Sequence, residues 1–139
     1  MVIHFKIITP ERVTFSDEVD QVSLMTASGE ITVLPQHIPL VTVLQPGELR
    51  YKKNGEEKSI AVSGGFAEIK ADNSLVILAD TAEHATEIDL TRAEAARDLA
   101  LQTMQTAVKE DHTEYARIQA SLEKALNRVK VGNKYRRLP

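Results

Sequence analysis

At Thr86-Glu87-Ile88-Asp89-Leu90-Thr91-Arg92-Ala93 the chain changes its period. Downstream, Ala93, Ala96, Ala100, Met104 and Ala107 recur every three or four residues, the apolar stripe of a helix. Upstream lie short apolar runs rich in Val, Ile and Thr, punctuated by turn residues. All prolines except Pro139, and all glycines except Gly132, precede residue 66. Strands first and helices after is the pattern of an α+β chain.

Working back toward the N-terminus, the runs are Val2 to Ile8, Arg12 to Phe15, Val19 to Met25, Ile31 to Leu34 and Leu40 to Leu44. They continue with Glu48 to Lys53, Glu57 to Val62, Phe66 to Lys70 and Leu75 to Ala79. Asn54-Gly55 is the dipeptide best suited to two consecutive residues at positive φ, so it predicts a tight hairpin. Asp72-Asn73 is a weaker form of the same signal. Ser63-Gly64-Gly65 falls between two strands, where a bulge or tight turn accounts for it. The expectation is an antiparallel β-sandwich of about eight to ten strands.

Working forward, Thr91 with Glu94 fits a capping box, and Asp89 is an alternative N-cap. Glu110-Asp111-His112-Thr113 reads as a turn. Ile118, Leu122, Ala125, Leu126 and Val129 then form a second stripe, predicted to end at Gly132-Asn133. The C-terminal part is thus expected to be an antiparallel helical hairpin, with domains at 1–86 and 87–139. Its first helix offers mostly Ala to the seam, and each methylene absent from a buried contact forgoes about 0.8 kcal/mol. Such a hairpin is suited to opening or to exchanging partners.

The net charge of −3 conceals a division. Residues 1–86 carry seven Lys and Arg against twelve Asp and Glu, a net −5, whereas residues 87–139 carry ten against eight, a net +2. From Arg117 onward seven basic residues face one acid, Glu123. Arg117, Lys124 and Arg128 are spaced by seven and four residues and share one helical face.

Little of the sequence suggests catalysis. The absence of Cys removes disulfides, thiolate metal sites and cysteine nucleophiles. His4, His37, His84 and His112 are scattered without ligand spacing, so no metal is expected. Gly55-Glu56-Glu57-Lys58-Ser59 has too short a glycine spacing for a phosphate loop, and no serine sits in a nucleophile elbow. An apolar run of membrane-spanning length and a signal peptide are both missing, so a soluble intracellular chain is the expectation. By these features alone, a free-standing ligand-binding β-sandwich with a helical oligomerisation arm is an open alternative.

One string is more specific. Gly29-Glu30-Ile31-Thr32-Val33-Leu34-Pro35-Gln36-His37-Ile38-Pro39-Leu40 resembles the G-x-x-G-V-L-P-x-H-x-P-L signature of the epsilon subunit of bacterial-type F-type ATP synthases, with Thr32 where the family usually has Gly. Leu44 to Leu49, Val62 to Glu68, Val76 to Ala82 and Glu87 to Ala93 match in the expected order, so the resemblance runs from residue 2 to about residue 97. It implies a non-catalytic subunit of the central stalk that couples rotation to ATP synthesis. The sandwich would dock on the gamma subunit and the c ring. The hairpin would lie folded, or extend toward the alpha and beta subunits and inhibit ATP hydrolysis, with Arg117, Lys124 and Arg128 meeting an acidic loop of beta.

Ile88-Asp89-Leu90-Thr91-Arg92-Ala93 also resembles the I/L-D-x-x-R-A motif that binds ATP in bacterial members of the family. The resemblance makes Glu83, Ile88, Asp89, Arg92 and Ala93 candidate ATP contacts, with further cations from Arg97, Arg117 or Arg128. ATP would be a regulatory ligand, with no cofactor required. On residue type alone, Asp89 can equally be a plain helix cap with Arg92 in solvent. The location implied is the cytoplasmic side of the bacterial cell membrane, held peripherally without membrane insertion or nucleic-acid contact.

Overall fold

The computed structural model describes residues 1–106 and 112–137, apart from the side chains of residues 135–137. The chain forms two compact units, residues 1–85 and 86–139.

The first unit is one ten-stranded sheet folded over its own core. Its strands are β1 (Ile3–Ile8), β2 (Val13–Val19), β3 (Gln21–Thr26), β4 (Gly29–Val33), β5 (Leu40–Leu44), β6 (Gly47–Lys53), β7 (Glu56–Val62), β8 (Gly65–Ile69), β9 (Ser74–Ala79) and β10 (Ala82–His84). The order is β10-β7-β6-β3-β5-β8-β9-β1-β2, with β4 on β3. β3 makes the corner: Gln21, Val22 and Ser23 pair with β6, whereas Thr26 pairs with Leu44 of β5. A strand that changes partner in this way carries the sheet from one layer to the other.

Alternation selects the core. Ile3, Phe5 and Ile7 of β1 face inward, Phe5 and Ile7 in register with Leu75 and Ile77 of β9, and all five are buried. At the centre the rings of Phe15 and Tyr51 lie 5.0 Å apart and those of Phe5 and Phe15 5.3 Å, tilted as aromatic pairs prefer. Phe15 is on β2 and Tyr51 on β6, so this cluster joins strands far apart in the sheet order. Lys53 closes the same gap from outside, donating to Asp17 Oδ2 at 2.6 Å.

The turns follow their residues. Asn54 and Gly55 take φ of 53° and 81°, the double positive φ expected of the hairpin. Asn73 has φ 65° and closes a three-residue loop in which the Lys70 N–H donates to the Ser74 carbonyl at 2.9 Å. Gly65 has φ 141°, and a Cβ there would stand 1.9 Å from the Leu78 carbonyl oxygen, so no other residue fits.

Three details of the sandwich differ from the sequence reading. β1 pairs with β9 in parallel, a long-range pairing that no local pattern encodes. Val19 ends β2 instead of opening β3, because the chain bends at Asp20, whose N–H donates to the Lys52 carbonyl. Ala82-Glu83-His84, with no β-branched residue, is a strand because the edge of β7 offers Ile60 to Val62 as partners and the His84 ring packs on Phe15 at 5.8 Å.

The second unit follows a 3-10 turn, Ala85–Glu87, and comprises α1 (Leu90–Thr106) and α2 (His112–Arg137). Over the described residues the helices run 17 and 26 residues, or about 26 and 39 Å at 1.5 Å per residue. Their seam has the 3-4 spacing of a coiled coil: Leu90, Ala93, Arg97, Ala100 and Met104 on α1, and Ile118, Leu122, Ala125, Val129 and Gly132 on α2. Ala96 and Leu126, expected in the stripes, are exposed beside this seam. Arg97 occupies the place predicted for Ala96; its stem is half-buried and its Nε donates to Asp98 at 3.2 Å. His112 and Thr113 open α2 and do not form a turn, while Ala107, Glu110 and Asp111 lie outside the described residues.

α2 does not stop at Gly132-Asn133 but runs on to Arg137. Gly132 is a packing residue here and not a helix terminator. A Cβ at this position would approach Leu90 Cδ2 to 2.7 Å and Ile88 Cγ2 to 3.2 Å.

Candidate functional site

The motif at the start of α1 has two sides. Asp89 is the N-cap: its Oδ1 accepts the Arg92 N–H at 3.2 Å, and its carbonyl accepts the Ala93 N–H at 2.9 Å. The Thr91–Glu94 box is therefore not the helix start, since Thr91 already lies within α1. Asp89 and Arg92 are exposed, whereas Ile88 and Ala93 are buried. The polar pair is available to a ligand, and the apolar pair belongs to the packing of the helical unit. Glu83 is half-buried in β10 opposite Ala61, within the sandwich unit. The structure thus gathers Ile88, Asp89, Arg92 and Ala93 at the start of α1, the first two just before the helix and the last two in its first turn.

The three basic residues proposed as a face differ in setting. Arg117 has a side chain 75% exposed and a loose pair with Glu114 at 3.7 Å, one turn back. Lys124 is exposed and Arg128 half-buried. A pair as exposed as Arg117–Glu114 contributes little to stability and leaves the guanidinium exchangeable.

A third surface was not found by sequence reasoning. In register across β5, β8, β9, β1 and β2 stand Val43, Phe66, Leu78, Ile8 and Val13, each paired with the next. Val43, Phe66, Leu78 and Val13 are 48%, 54%, 51% and 53% exposed, so the row runs along the outer face of the sheet. Val41, also exposed, lies two residues from Val43 on the same face. The available signal was the lack of alternation in Leu40–Leu44 and Leu75–Ala79, since strands apolar on both faces belong to sheets covered on both.

At the opposite end of β5, where Leu40 pairs with Ile69, the signature loop makes an apolar tip. Leu34 to His37 is a turn closed by the His37 N–H donating to the Leu34 carbonyl at 3.1 Å, with Pro35 second and Gln36 at φ 68° third. It leaves Leu34, Ile38 and Leu40 exposed. Among the described residues no helix is long and apolar enough to cross a membrane, and no three His, Asp or Glu converge as metal ligands.

Comparison with known proteins accounts for both units. Residues 2–85 match the family described as ATP synthase, Delta/Epsilon chain, beta-sandwich domain, and residues 86–133 match the long alpha-helix domain of the same chain. The ATP synthase epsilon chain of Herpetosiphon aurantiacus is 49% identical over 131 residues, 94% of each chain. That of Desulforamulus reducens is 46% identical over 124 residues, covering 89% of this chain and 92% of the relative. That of Chloroflexus aggregans is 54% identical over 97 residues, 70% of this chain and 69% of the relative. The fold also resembles a chain in the Euglena gracilis mitochondrial ATP synthase structure of OSCP, F1 and c-ring. There the TM-score is 0.77 at 23% identity, over 91% of this chain and 78% of the other. With both of its units matched in order and relatives aligned along nearly its full length, the chain belongs to the ATP synthase delta/epsilon chain family.

Proposed function

We propose that the sandwich docks on the gamma subunit and c ring of an ATP synthase, and that the helical hairpin is a mobile brake on ATP hydrolysis. As a member of its family the chain is a non-catalytic stalk subunit and not an enzyme in its own right. The observation that carries the docking is the outward row Val43, Phe66, Leu78, Ile8 and Val13. A contiguous apolar band across five strands is costly in water and is the mark of a surface that a partner covers. The tip of Leu34, Ile38 and Leu40, at the other end of β5, is a separate exposed apolar surface of the same unit.

The brake rests on the Ala-rich seam and the basic face. Ala93, Ala100 and Ala125 bury little area, so the folded hairpin is only modestly favoured over an extended one. Once extended, Arg117, Lys124 and Arg128 would reach the alpha and beta subunits and be drawn to acidic surface there. ATP held by Asp89 and Arg92, with further cations of the helical unit contributing, would favour the folded state by its differential affinity. The complex so formed would hold the chain peripherally on the cytoplasmic side of a bacterial membrane.

The test is co-purification with gamma, and ATP hydrolysis by the complex carrying a chain truncated before Ile88. Retained assembly with faster hydrolysis is expected. Loss of gamma from the full-length chain would overturn the docking, and unchanged hydrolysis after truncation would overturn the brake.

A further inference from the structure

We infer that Leu90 and Ile88, seated on Gly132, form the latch that holds the helical hairpin closed, and that the Asp89 cap sets this latch. The inference rests on the reading of the hairpin as a part that opens, and it names the contact that must break.

Gly132 lies inside α2, where Gly is disfavoured against Ala by about four- to five-fold in the folding equilibrium. Its lack of a side chain is what the packing uses. A Cβ there would meet Leu90 Cδ2 at 2.7 Å, Leu90 Cγ at 3.1 Å and Ile88 Cγ2 at 3.2 Å. Leu90 and Ile88 are 5% and 6% exposed, so neither has open space to swing into. Leu90 is the first seam residue of α1, and Gly132 is the last of the α2 seam among the described residues. The Leu90 side chain enters the gap that Gly132 leaves in the α2 seam, as a knob enters a hole. Elsewhere the buried seam of α1 offers only Ala93 and Ala100. The contact that best resists separation is therefore concentrated where the N-terminus of α1 meets the far end of α2.

Asp89 stands between the two side chains of the latch. Its carboxylate holds the Arg92 N–H and its carbonyl the Ala93 N–H, so the capped turn sets the directions in which Ile88 and Leu90 project. Loss of the cap frays the turn that carries the knob. A ligand gripping Asp89 and Arg92 tightens it, without touching Gly132.

Amide hydrogen exchange of the full chain tests this. Gly132→Ala is expected to lower protection of α1 and α2 about ten-fold or more while leaving β1 to β9 as in the wild type. In a Leu90→Ala background the same change should cost less than about two-fold, since the space the new methyl needs has been vacated. Helix propensity alone makes the opposite demand, that Gly132→Ala raises protection. Unchanged or raised protection overturns the latch, as does an equal cost in both backgrounds. Asp89→Asn, which keeps a capping oxygen, should retain protection that Asp89→Ala loses; equal protection in the two overturns the setting role of the cap. Hydrolysis by the complex carrying Gly132→Ala separates this from the wider reading. Weakened protection with unaltered hydrolysis upholds the latch and removes the brake.

Discussion

The main-chain N–H of Gln36 donates to the side-chain oxygen of Asn73 at 2.7 Å, tying the apolar tip after β4 to the turn between β8 and β9. The Asn73 carbonyl also accepts the His4 N–H at 2.9 Å, so one residue at φ 65° joins three parts of the sandwich. Asn73→Gly keeps the backbone conformation and loses the side-chain bond, which is expected to cost about 1 kcal/mol. Asn73→Ala also incurs the strain of a left-handed backbone, about 1 kcal/mol more. Urea unfolding of the two variants should show that order.

Gly65 tolerates nothing larger. Placing a methyl 1.9 Å from the Leu78 carbonyl oxygen forces β8 away from β9, so Gly65→Ala is expected to cost about 4 kcal/mol or more. The expected result is loss of cooperative unfolding by circular dichroism, or failure to express in soluble form.

On the outer face the prediction reverses. Phe66 and Leu78 are each half exposed, so Phe66→Glu and Leu78→Glu should change stability by no more than about 0.5 kcal/mol. The same variants should lose gamma in co-purification. Gamma retained at wild-type yield by both would show that the row is not the docking face.

Asp17 sets an acid limit on the sandwich. The hydrogen bond from Lys53, helped by the Glu18 N–H, holds its carboxyl below the ordinary aspartate value of 3.8. The folded pKa is lower than the unfolded one, so this contribution is fully present above about pH 4. It is lost as pH falls through the folded value. Asp17→Asn should therefore flatten the acid side of a stability profile taken from pH 6 to pH 2, by lowering stability at pH 6 while leaving it close to the wild type at pH 2.

Tyr51 sets the opposite limit. Burial, reinforced by the charge of Asp17, raises its phenol above the usual 10.0, so the fold favours the neutral form. Stability is present below pH 10 and falls as the pH rises beyond it. Tyr51→Phe should remove that alkaline loss in thermal melts between pH 9 and pH 11.

The sequence specified the local devices well, because each depends on a few adjacent residues. Asn54-Gly55 makes its hairpin, Asp89 caps α1, and the shift in period near Ile88 lies at the junction of strands and helices. Residues that act across the fold were harder to read. Gly132 looked like a helix end, since only the position of Leu90 reveals it as a socket. His84 gave no strand signal because the partner that makes it one, Ile60, is 24 residues away. The outer row was hidden for the same reason: Val43, Phe66, Leu78, Ile8 and Val13 become neighbours only through four separate pairings. Of the motif at Ile88 to Ala93, its cap and its exposed Asp89–Arg92 side could be read from spacing. The inward placement of Ile88 and Ala93 depends on the packing of the helical unit.

The parallel pairing of β1 with β9 governs the order in which this molecule is made. His4 to Ile8 leave the ribosome well before their register partners, Ser74 to Leu78. At about 5 to 20 residues per second, Phe5 and Ile7 wait roughly 4 to 14 s for one of the two strands that cover them. The hairpin of β1 with β2 can form meanwhile and shelter one edge. Only when β9 arrives is the second edge closed, and β10, α1 and α2 follow it in the chain.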